Sequence, residues 1–534
     1  MGRLVTAVAV SLWAIPISIL VNRIVPQPYM DEIFHIPQAQ QYCKGNFRSW
    51  DPMITTPPGL YGLSLAYIAS LFPGKCLFNL PDLCTIPILR STNVVLAILC
   101  SILVRDIVMH LRPGMKEGKA TCYAILVALY PLHWFFTFLY YTDVASLAAV
   151  LATYLACLKK RFWFSAMFGA VAVLCRQTNV IWVLFVSVNG AICYVDDLYA
   201  KEHPFRDNYD FQMEKDKHVP TEKQMKVFPP NLRKRQKHIT ATSEVLSSNS
   251  RERLLDHSPG LIGDIIAICK KFWYVKWRVL IAFSPFAFVL AAFVAFVFLN
   301  NGIVLGNFFF LMLFIDVYEK SSELMMPLYY MAGAKEAHVV SPHFAQVLYF
   351  GLASAAATFP IHFSPSQVVQ LFHLSAKNGS RSILLISVAF CLSAIWVKYF
   401  SIAHPYLLAD NRHYTFYIWR RLIQAHWSMK YALVPLYVYS WFSILTTLGK
   451  EQKRIWVLSF CISVALVLVP APLIEFRYFT IPLVLLIIHS PIMSERNLLL
   501  LSFVYAGVNA LTIGLFLFRP FHWAHEPGTQ RFIW

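Results

Sequence analysis

Charged residues are scarce in this chain of 534 residues. Only 14% of the residues are Asp, Glu, Lys or Arg, whereas 57% are hydrophobic. Soluble domains are roughly 25% charged, so this composition excludes an ordinary soluble protein, a disordered chain and a small disulfide-rich domain. The formal net charge of +18 would suit a nucleic-acid binder. However, the basic residues stand in short clusters between long apolar runs, which is typical of an integral membrane protein, and no nucleic-acid partner is expected.

Other absences narrow the chemistry further. The 11 cysteines form no CxxC pair, so neither a zinc site nor a redox motif is indicated. The chain also lacks a P-loop and a GxGxxG motif, which removes the usual sites for ATP-driven transport and for soluble nucleotide-sugar chemistry. Ionisable residues are almost missing from the centres of the apolar runs, and this counts against a transporter.

The chain does contain long apolar runs. One membrane crossing needs about 20 consecutive, mostly apolar residues. These runs predict an all-α, polytopic membrane helical bundle with about 13 spans. The candidate spans are 4–25, 88–108, 120–139, 144–158, 162–174, 180–194, 279–299, 344–363, 383–399, 431–448, 455–473, 479–489 and 498–518. The apolar stretch 60–72 is bracketed by prolines, so we expect an interfacial or re-entrant helix there.

The apolar runs divide the chain into three parts. We expect an N-terminal membrane module over 1–195, a flexible basic cytosolic loop over 196–278 and a C-terminal membrane module over 279–534. With the N-terminus in the cytosol, the excess of basic residues falls on the cytosolic side, as the positive-inside rule requires. The loop 26–87 then lies outside, where Cys76 and Cys84 could pair.

Polar clusters gather at this outside face. They are QPYMDEIFHIPQAQQYC (27–43), WDPMITTPPGLYG (50–62), YYTD (140–143), RQTN (176–179), ADNRHY (409–414), EFRYF (475–479) and the ending RFIW. At one membrane surface the chain thus places acids, arginines, histidines and aromatics. This arrangement suits a reaction between a lipid-embedded substrate and a second substrate. Ordinary loops with an aromatic belt, a transporter or lipid scramblase, and a non-catalytic partner that regulates channels remain alternatives.

The strings MDEIFHIPQAQ and WDPMITTPPGLYG resemble the GT-C class of endoplasmic-reticulum glycosyltransferases. More narrowly, they are similar to the family of dolichyl-phosphate-glucose-dependent α-1,2-glucosyltransferases that add the terminal third glucose to the lipid-linked oligosaccharide. RQTNVIW, LLADNRHYTFYIWRR, EFRYFTIPL and RFIW agree, so the resemblance covers nearly the whole chain. A dolichyl-phosphate-mannose-dependent relative or another glucosyltransferase of the same pathway is the nearest alternative. One departure is an insert at 307–332, either a lumenal insertion or a gene-model error, whose apolar run is too short to span.

The resemblance implies an inverting enzyme of the endoplasmic-reticulum membrane with its active site facing the lumen. Its donor would be dolichyl-phosphate-glucose, which is β-linked, and its acceptor the diglucosylated lipid-linked oligosaccharide, both held in membrane lipid. Neither a metal nor another cofactor is implied, and no lumenal loop carries a DxD motif.

Inversion by one direct displacement needs a carboxylate to accept the proton of the attacking hydroxyl. Asp31 matches the acidic position of the family and is the predicted base, with Glu32 as the alternative or as its partner. The departing phosphate calls for arginine or histidine. Arg412 and His413 are the first candidates, followed by Arg176 and Arg477, and each has an interfacial anchor as its alternative.

Two further residues and one motif are noted. His35 could cap the interfacial helix, contact the acceptor sugar or simply pack within the loop, and Trp50 could stack on a sugar or belong to the aromatic belt. Asn378-Gly379-Ser380 matches the N-glycosylation sequon. The span count places it in the cytosol, so we expect no glycan there.

Overall fold

The computed structural model of the chain describes residues 1–73, 80–202, 260–300, 302–303, 342–377, 379–471, 473–524 and 528–534. These residues are mostly helical and contain two isolated β-bridges but no named strand, which confirms the expected all-α class. They form two compact units, one of Met1–Val188 with Phe283–Trp534 and one of Asn189–Ala282.

The helices of the N-terminal half follow the apolar runs. In chain order they are α1 (Gly2–Ile24), α2 (Glu32–Cys43), α3 (Gly59–Leu71), α4 (Leu80–Leu83), α5 (Ile86–Leu111), α6 (Glu117–Ala128), α7 (Pro131–Phe136), α8 (Thr142–Leu158), α9 (Phe162–Cys175) and α10 (Asn179–Glu202).

The C-terminal half adds twelve helices among the described residues. They are α11 (Leu261–Leu299), α12 (Ala345–Ala357), α13 (Phe359–His362), α14 (Pro365–Lys377), α15 (Gly379–Tyr399), α16 (Pro405–Ala409), α17 (Tyr414–Ile418), α18 (Met429–Ala432), α19 (Val434–Glu451), α20 (Arg454–Leu468), α21 (Thr480–His489) and α22 (Glu495–Phe518). A π-helical turn covers Trp419–Ile423, and a 3₁₀ turn covers Phe476–Phe479.

Each of the 13 apolar segments contains a helix, and seven helices of the described chain are long and apolar enough to cross a membrane. The number of crossings stays a prediction. The segment 120–139 is split into α6 and α7, because Pro131 has no N–H with which to continue the first helix. The segment 344–363 is split in the same way at α13, whose second residue is Pro360.

The first unit is built around α5, which packs against α1, α6 and α8, while α8 packs on α9. Further along the chain α12 packs on α19, and α22 packs on α6 and α7. Large apolar side chains such as Leu12 and Phe503 remain exposed on the helices. That is what hydrocarbon contact permits, since lipid tails are as apolar as leucine.

The loop between α1 and α5 holds three helices. Among them α3 covers most of the stretch 60–72, and its expected position as an interfacial or re-entrant helix stays a prediction. Gly59 begins α3 against the end of α9, where an added Cβ would lie 2.5 Å from the backbone of Leu174. A disulfide joins Cys43 to Cys84. The expected pairing of Cys84 with Cys76 is therefore wrong, and Cys76 lies outside the described residues.

The second unit consists, where described, of the end of α10 and the start of α11. Lys271 Nζ lies 2.9 Å from Asp196 Oδ1, and Lys276 Nζ lies 3.5 Å from the ring centroid of Trp273. Both helices extend into the expected loop 196–278. The middle of that loop, the insert 307–332 and Asn378 fall outside the described residues.

Candidate active site

Asp31 stands at the turn between α1 and α2, directly before the first residue of α2. Met30 before it has φ 56°, a left-handed conformation that residues other than glycine rarely adopt. The backbone N–H of Asp31 donates to the hydroxyl of Tyr141 at 3.2 Å. The Asp31 side chain is 43% exposed. Its main chain is thus anchored while its carboxylate remains open to a ligand.

Glu32 is the opposite case, since its side chain is 0% exposed. Its two oxygens accept from Arg90 at 2.8 and 2.6 Å. They also accept from the backbone N–H groups of Tyr29 at 3.1 Å and Tyr140 at 2.6 Å. These four hydrogen bonds enclose the carboxylate of Glu32. The structure therefore gives no geometric support to Glu32 as an alternative base and makes it a buried neighbour of Asp31.

Arg477 is the charged group in contact with Asp31, and it lies in the 3₁₀ turn that precedes α21. Its Nη1 is 3.1 Å from Asp31 Oδ2 and 3.8 Å from Asp143 Oδ2. Its Nη2 is 2.8 Å from Glu475 Oε2. One guanidinium therefore gathers three carboxylates from three separate parts of the chain.

Asp143 also contacts Arg176, another arginine that the sequence predicts for the site. It lies in the first turn of α8, and its Oδ1 is 3.0 Å from Nη1 of Arg176 at the end of α9. The guanidinium of Arg176 sits 5.5 Å from the ring centroid of Tyr478. The structure thus brings Arg176 and Arg477 together through Asp143, which sequence reasoning missed as a site residue. The available signal was an acid at the start of a span within the YYTD cluster.

The neighbouring charges set the ionisation of this cluster. Burial by itself would raise the pKa of Asp31, but the charge of Arg477, with smaller contributions from His35 and His413, outweighs burial and lowers that pKa. Burial lowers the pKa of His35 and outweighs the opposing charge of Asp31. Near neutral pH the site therefore combines an ionised Asp31 with a neutral His35.

His35 and Trp50 belong to the packing of the first loop. His35 is 9% exposed, and its Nδ1 lies 2.6 Å from the hydroxyl of Tyr61 in α3. The ring of Trp50 meets the ring of Tyr61 edge-on, with 6.1 Å between centroids. Of the roles expected for His35, this geometry favours packing.

Arg412 and His413 lie in a second cluster, formed with the C-terminal segment. Arg412 donates to Asp410 at 2.9 and 2.8 Å and, through Nη1, to Gln530 Oε1 at 2.9 Å. His413 Nδ1 lies 3.0 Å from the carbonyl oxygen of Trp534. The guanidinium is thus held in place by fixed neighbours rather than by Asp31.

A cleft of ≈ 320 Å³ lies between the two clusters and is lined by Asp410, Arg412 and His413 together with Glu475. Since Glu475 is also bound to Arg477, the cleft adjoins the Asp31 cluster. An apolar groove of ≈ 180 Å³ shares Thr415 and Ile474 with this cleft and is otherwise lined by aromatic and aliphatic side chains. A charged cleft and an apolar groove are thus neighbours in this part of the fold.

No metal centre is apparent in the described part of the chain, where no three His, Cys, Asp or Glu side chains are grouped so that they could hold an ion.

These features define a multi-pass membrane protein in which an acid–arginine cluster adjoins a polar cleft and an apolar groove. The chain belongs to the DIE2/ALG10 family, whose model matches residues 25–488. The resemblance inferred from the sequence is thereby confirmed.

Curated relatives cover essentially the whole chain. It is 50% identical to the Arabidopsis thaliana protein named Dol-P-Glc:Glc(2)Man(9)GlcNAc(2)-PP-Dol alpha-1,2-glucosyltransferase, over 100% of both chains. It is 31% identical to a Homo sapiens protein of the same name, over 96% of this chain and 94% of the human one. A Drosophila melanogaster protein, again of that name, is 29% identical over 100% and 99% of the two chains. No solved structure matches the chain significantly.

Proposed function

We propose that the chain is an inverting glucosyltransferase. It moves glucose from dolichyl-phosphate-glucose to the diglucosylated, dolichyl-pyrophosphate-linked oligosaccharide and forms an α-1,2 bond. The names of its full-length relatives support this reaction. The structural observation that carries it is the Asp31 carboxylate, 43% exposed and paired with Arg477. Through Glu475 this pair adjoins a charged cleft, which has an apolar groove as its neighbour.

Asp31 is the proposed base of a single displacement. The 2-hydroxyl oxygen of the acceptor glucose attacks the anomeric carbon of the donor. The bond from that carbon to the phosphate oxygen breaks, and its electron pair leaves with dolichyl phosphate. The hydroxyl proton passes to Asp31. A weak base suffices, because the hydroxyl becomes acidic as it attacks, and such assistance contributes about 10²–10⁴-fold.

The polar cleft is the proposed site of the donor phosphate. Arg412 and His413 line it, and the planar guanidinium of arginine matches two phosphate oxygens at once. The adjoining apolar groove is suited to the first isoprenoid units of the dolichyl chain. Arg477 contacts Asp31 and is not among the residues that line the cleft, so we assign it to keeping Asp31 ionised rather than to the phosphate.

The site is proposed to face the lumen of the endoplasmic reticulum. The disulfide between Cys43 and Cys84 closes the loop that presents Asp31. Disulfides persist in oxidising compartments such as this lumen and are rare in the cytosol. The loop and the carboxylate therefore belong on the lumenal side.

Among the alternatives, a dolichyl-phosphate-mannose-dependent reaction of the same class is the nearest. The names of the relatives favour glucose, and family membership does not favour a transporter or a channel-regulating role.

The deciding experiment is an assay of the purified protein in liposomes. Synthetic dolichyl-phosphate-glucose, dolichyl-phosphate-mannose and UDP-glucose are each offered with a diglucosylated lipid-linked acceptor. We expect the acceptor to gain one hexose from dolichyl-phosphate-glucose alone. Equal transfer from the mannose donor would contradict the donor assignment, and no transfer from any donor would contradict the enzymatic function.

A further inference from the structure

Arg90, in the second turn of α5, is a fully buried guanidinium at 0% exposure. Besides its two bonds to Glu32, its Nη1 donates to the carbonyl of Val25 at 2.7 Å and to Asn22 Oδ1 at 3.2 Å. Its Nη2 donates to the carbonyl of Gln27 at 3.0 Å. A guanidinium has five N–H groups in a rigid fork, and here they are distributed over five acceptors.

These acceptors lie at the two ends of the turn that presents Asp31. Helix α1 ends at Ile24, so the carbonyls of Val25 and Gln27 have no helical partner, and Arg90 supplies one for each. Glu32 lies at the other end of the turn, directly after Asp31. A single side chain therefore holds both ends of the segment.

The same face of α5 also holds the segment to which Asp31 is bonded. Asn93, three residues after Arg90, donates through Nδ2 to the carbonyls of Leu139 and Tyr141 at 2.7 and 2.8 Å. Glu32 accepts from Tyr140 in that segment, and the N–H of Asp31 donates to the Tyr141 hydroxyl. The position of the Asp31 main chain is thus defined from two sides by α5.

We propose that Arg90 and Glu32 are positioning residues for the base Asp31. Their buried pair fixes the carboxylate in place without touching substrate. This inference rests on the proposed function, because it takes Asp31 as the base. Misplacing a reacting group by about 1 Å can cost about 10²-fold in rate. Replacing both members of a buried ion pair by apolar side chains of similar volume avoids an unpaired buried charge, which is the strongly destabilising outcome of removing one partner.

The test is the double variant E32L/R90M, which removes both charges and leaves neither unpaired. We expect a lower unfolding temperature than in the wild type, because the carbonyls of Val25 and Gln27 and the N–H groups of Tyr29 and Tyr140 lose their partners. The kcat of the folded protein should fall about 30- to 100-fold. The KM for the donor should stay within about threefold, since the donor cleft is unaltered. The kcat–pH profile should stay free of an acid limb down to about pH 5, as expected for the wild type, because Arg477 still faces Asp31. The conservative variant R90K, which keeps a donor to Glu32, should recover part of the rate.

R105M is the matched control. Arg105 is a second buried arginine of α5, 8% exposed and paired with Asp106 and Glu117 at 3.1 Å each. It lies about 22 Å further along the helix, so its loss should leave kcat unchanged.

Three results would overturn the inference. They are a double variant with the kcat of the wild type, an equal fall of kcat in R105M, and an acid limb above about pH 5 in E32L/R90M, which would mean that the pair sets the ionisation of Asp31 rather than its position. A wild-type protein without glucosyl transfer would contradict the proposed function itself, and this inference with it. Retained activity in D31N would contradict the choice of Asp31 as the base. This result would distinguish a wrong base from a wrong function and from a wrong positioning role.

Discussion

Two adjacent acids, Asp31 and Glu32, have different environments although the sequence presents them as a pair. The side chain of Asp31 is 43% exposed and faces Arg477. Glu32 is enclosed by Arg90 and by two backbone N–H groups. Since a proton acceptor must reach the substrate hydroxyl, exposure rather than residue type distinguishes the proposed base from its support.

Replacing Asp31 by asparagine should lower kcat about 10²–10⁴-fold, because the amide cannot accept the hydroxyl proton. The change is nearly isosteric, so the protein level and donor binding should stay close to those of the wild type. Single-turnover transfer from dolichyl-phosphate-glucose measures the effect. Turnover above about a tenth of the wild type would remove Asp31 from the role of base.

The pH dependence should follow the lowered pKa of Asp31. A base acts when it is deprotonated, and the pKa of Asp31 lies below the ordinary value of 3.8. The kcat should therefore show no acid limb associated with Asp31 down to about pH 5.

In R477M the effect of burial on Asp31 is no longer opposed by that arginine. The pKa should rise, and the acid limb should move to higher pH. R412A is the control, since Arg412 is not among the main groups that shift this pKa. An acid limb that stays in place in R477M would mean that Arg477 does not hold Asp31 ionised.

Replacing Arg412 by alanine tests the donor cleft. A charge-assisted hydrogen bond contributes about 1.5–3 kcal/mol, so kcat/KM for the donor should fall about tenfold or more. R420A is the matched control, because Arg420 is an exposed arginine nearby that lies over the Phe416 ring and outside the cleft. Equal kinetics in R412A and the wild type would assign Arg412 to the membrane interface.

At the scale of secondary-structure elements, the loop between α1 and α5 carries the proposed base. Its helix α2 begins immediately after Asp31 and ends at Cys43, where the disulfide to Cys84 ties it to the start of α5. The carboxylate of Asp31 is thus presented by a loop that α5 holds through both Arg90 and this covalent link.

Cysteine substitutions test the disulfide. Removing a native disulfide typically costs about 2–5 kcal/mol, so C43S and C84S should each lower the thermal stability in detergent to a similar degree. C76S should not, because Cys84 is already paired with Cys43. Maleimide labelling before and after reduction checks the pairing. Loss of the reducible bond in C76S, but not in C43S, would restore the pairing expected from sequence.

At the scale of the whole molecule, apolar run length predicted the helices well, since a membrane segment must satisfy its own backbone hydrogen bonds. It could not show which of them would break, although Pro131 marks one such point. Sequence patterns also found Asp31 and Arg477 separately. Their contact, 446 residues apart, depends on packing that no local pattern contains. Arg90 was missed because an arginine at the start of a span resembles an interfacial anchor.

The sequon at Asn378 tests the sidedness of the whole bundle. The helix that follows it, α15, is a candidate span. In the segment that follows α15, Arg412 is hydrogen-bonded through its backbone to Ile533 in the C-terminal tail. The same tail is hydrogen-bonded to Tyr29, which lies near Asp31. If α15 crosses, Asn378 lies on the side opposite to Asp31, in the cytosol. We expect no change of gel mobility after endoglycosidase treatment or in N378Q. A shift would reverse the topology in this region.

The most direct test of the proposed reaction is the linkage and anomeric configuration of the product, determined by NMR after transfer by the purified wild-type protein. We expect one added glucose, α-linked to O2 of the terminal glucose, from the β-linked dolichyl-phosphate donor. A β-linked product, attachment at another oxygen or the addition of mannose would contradict the proposed reaction.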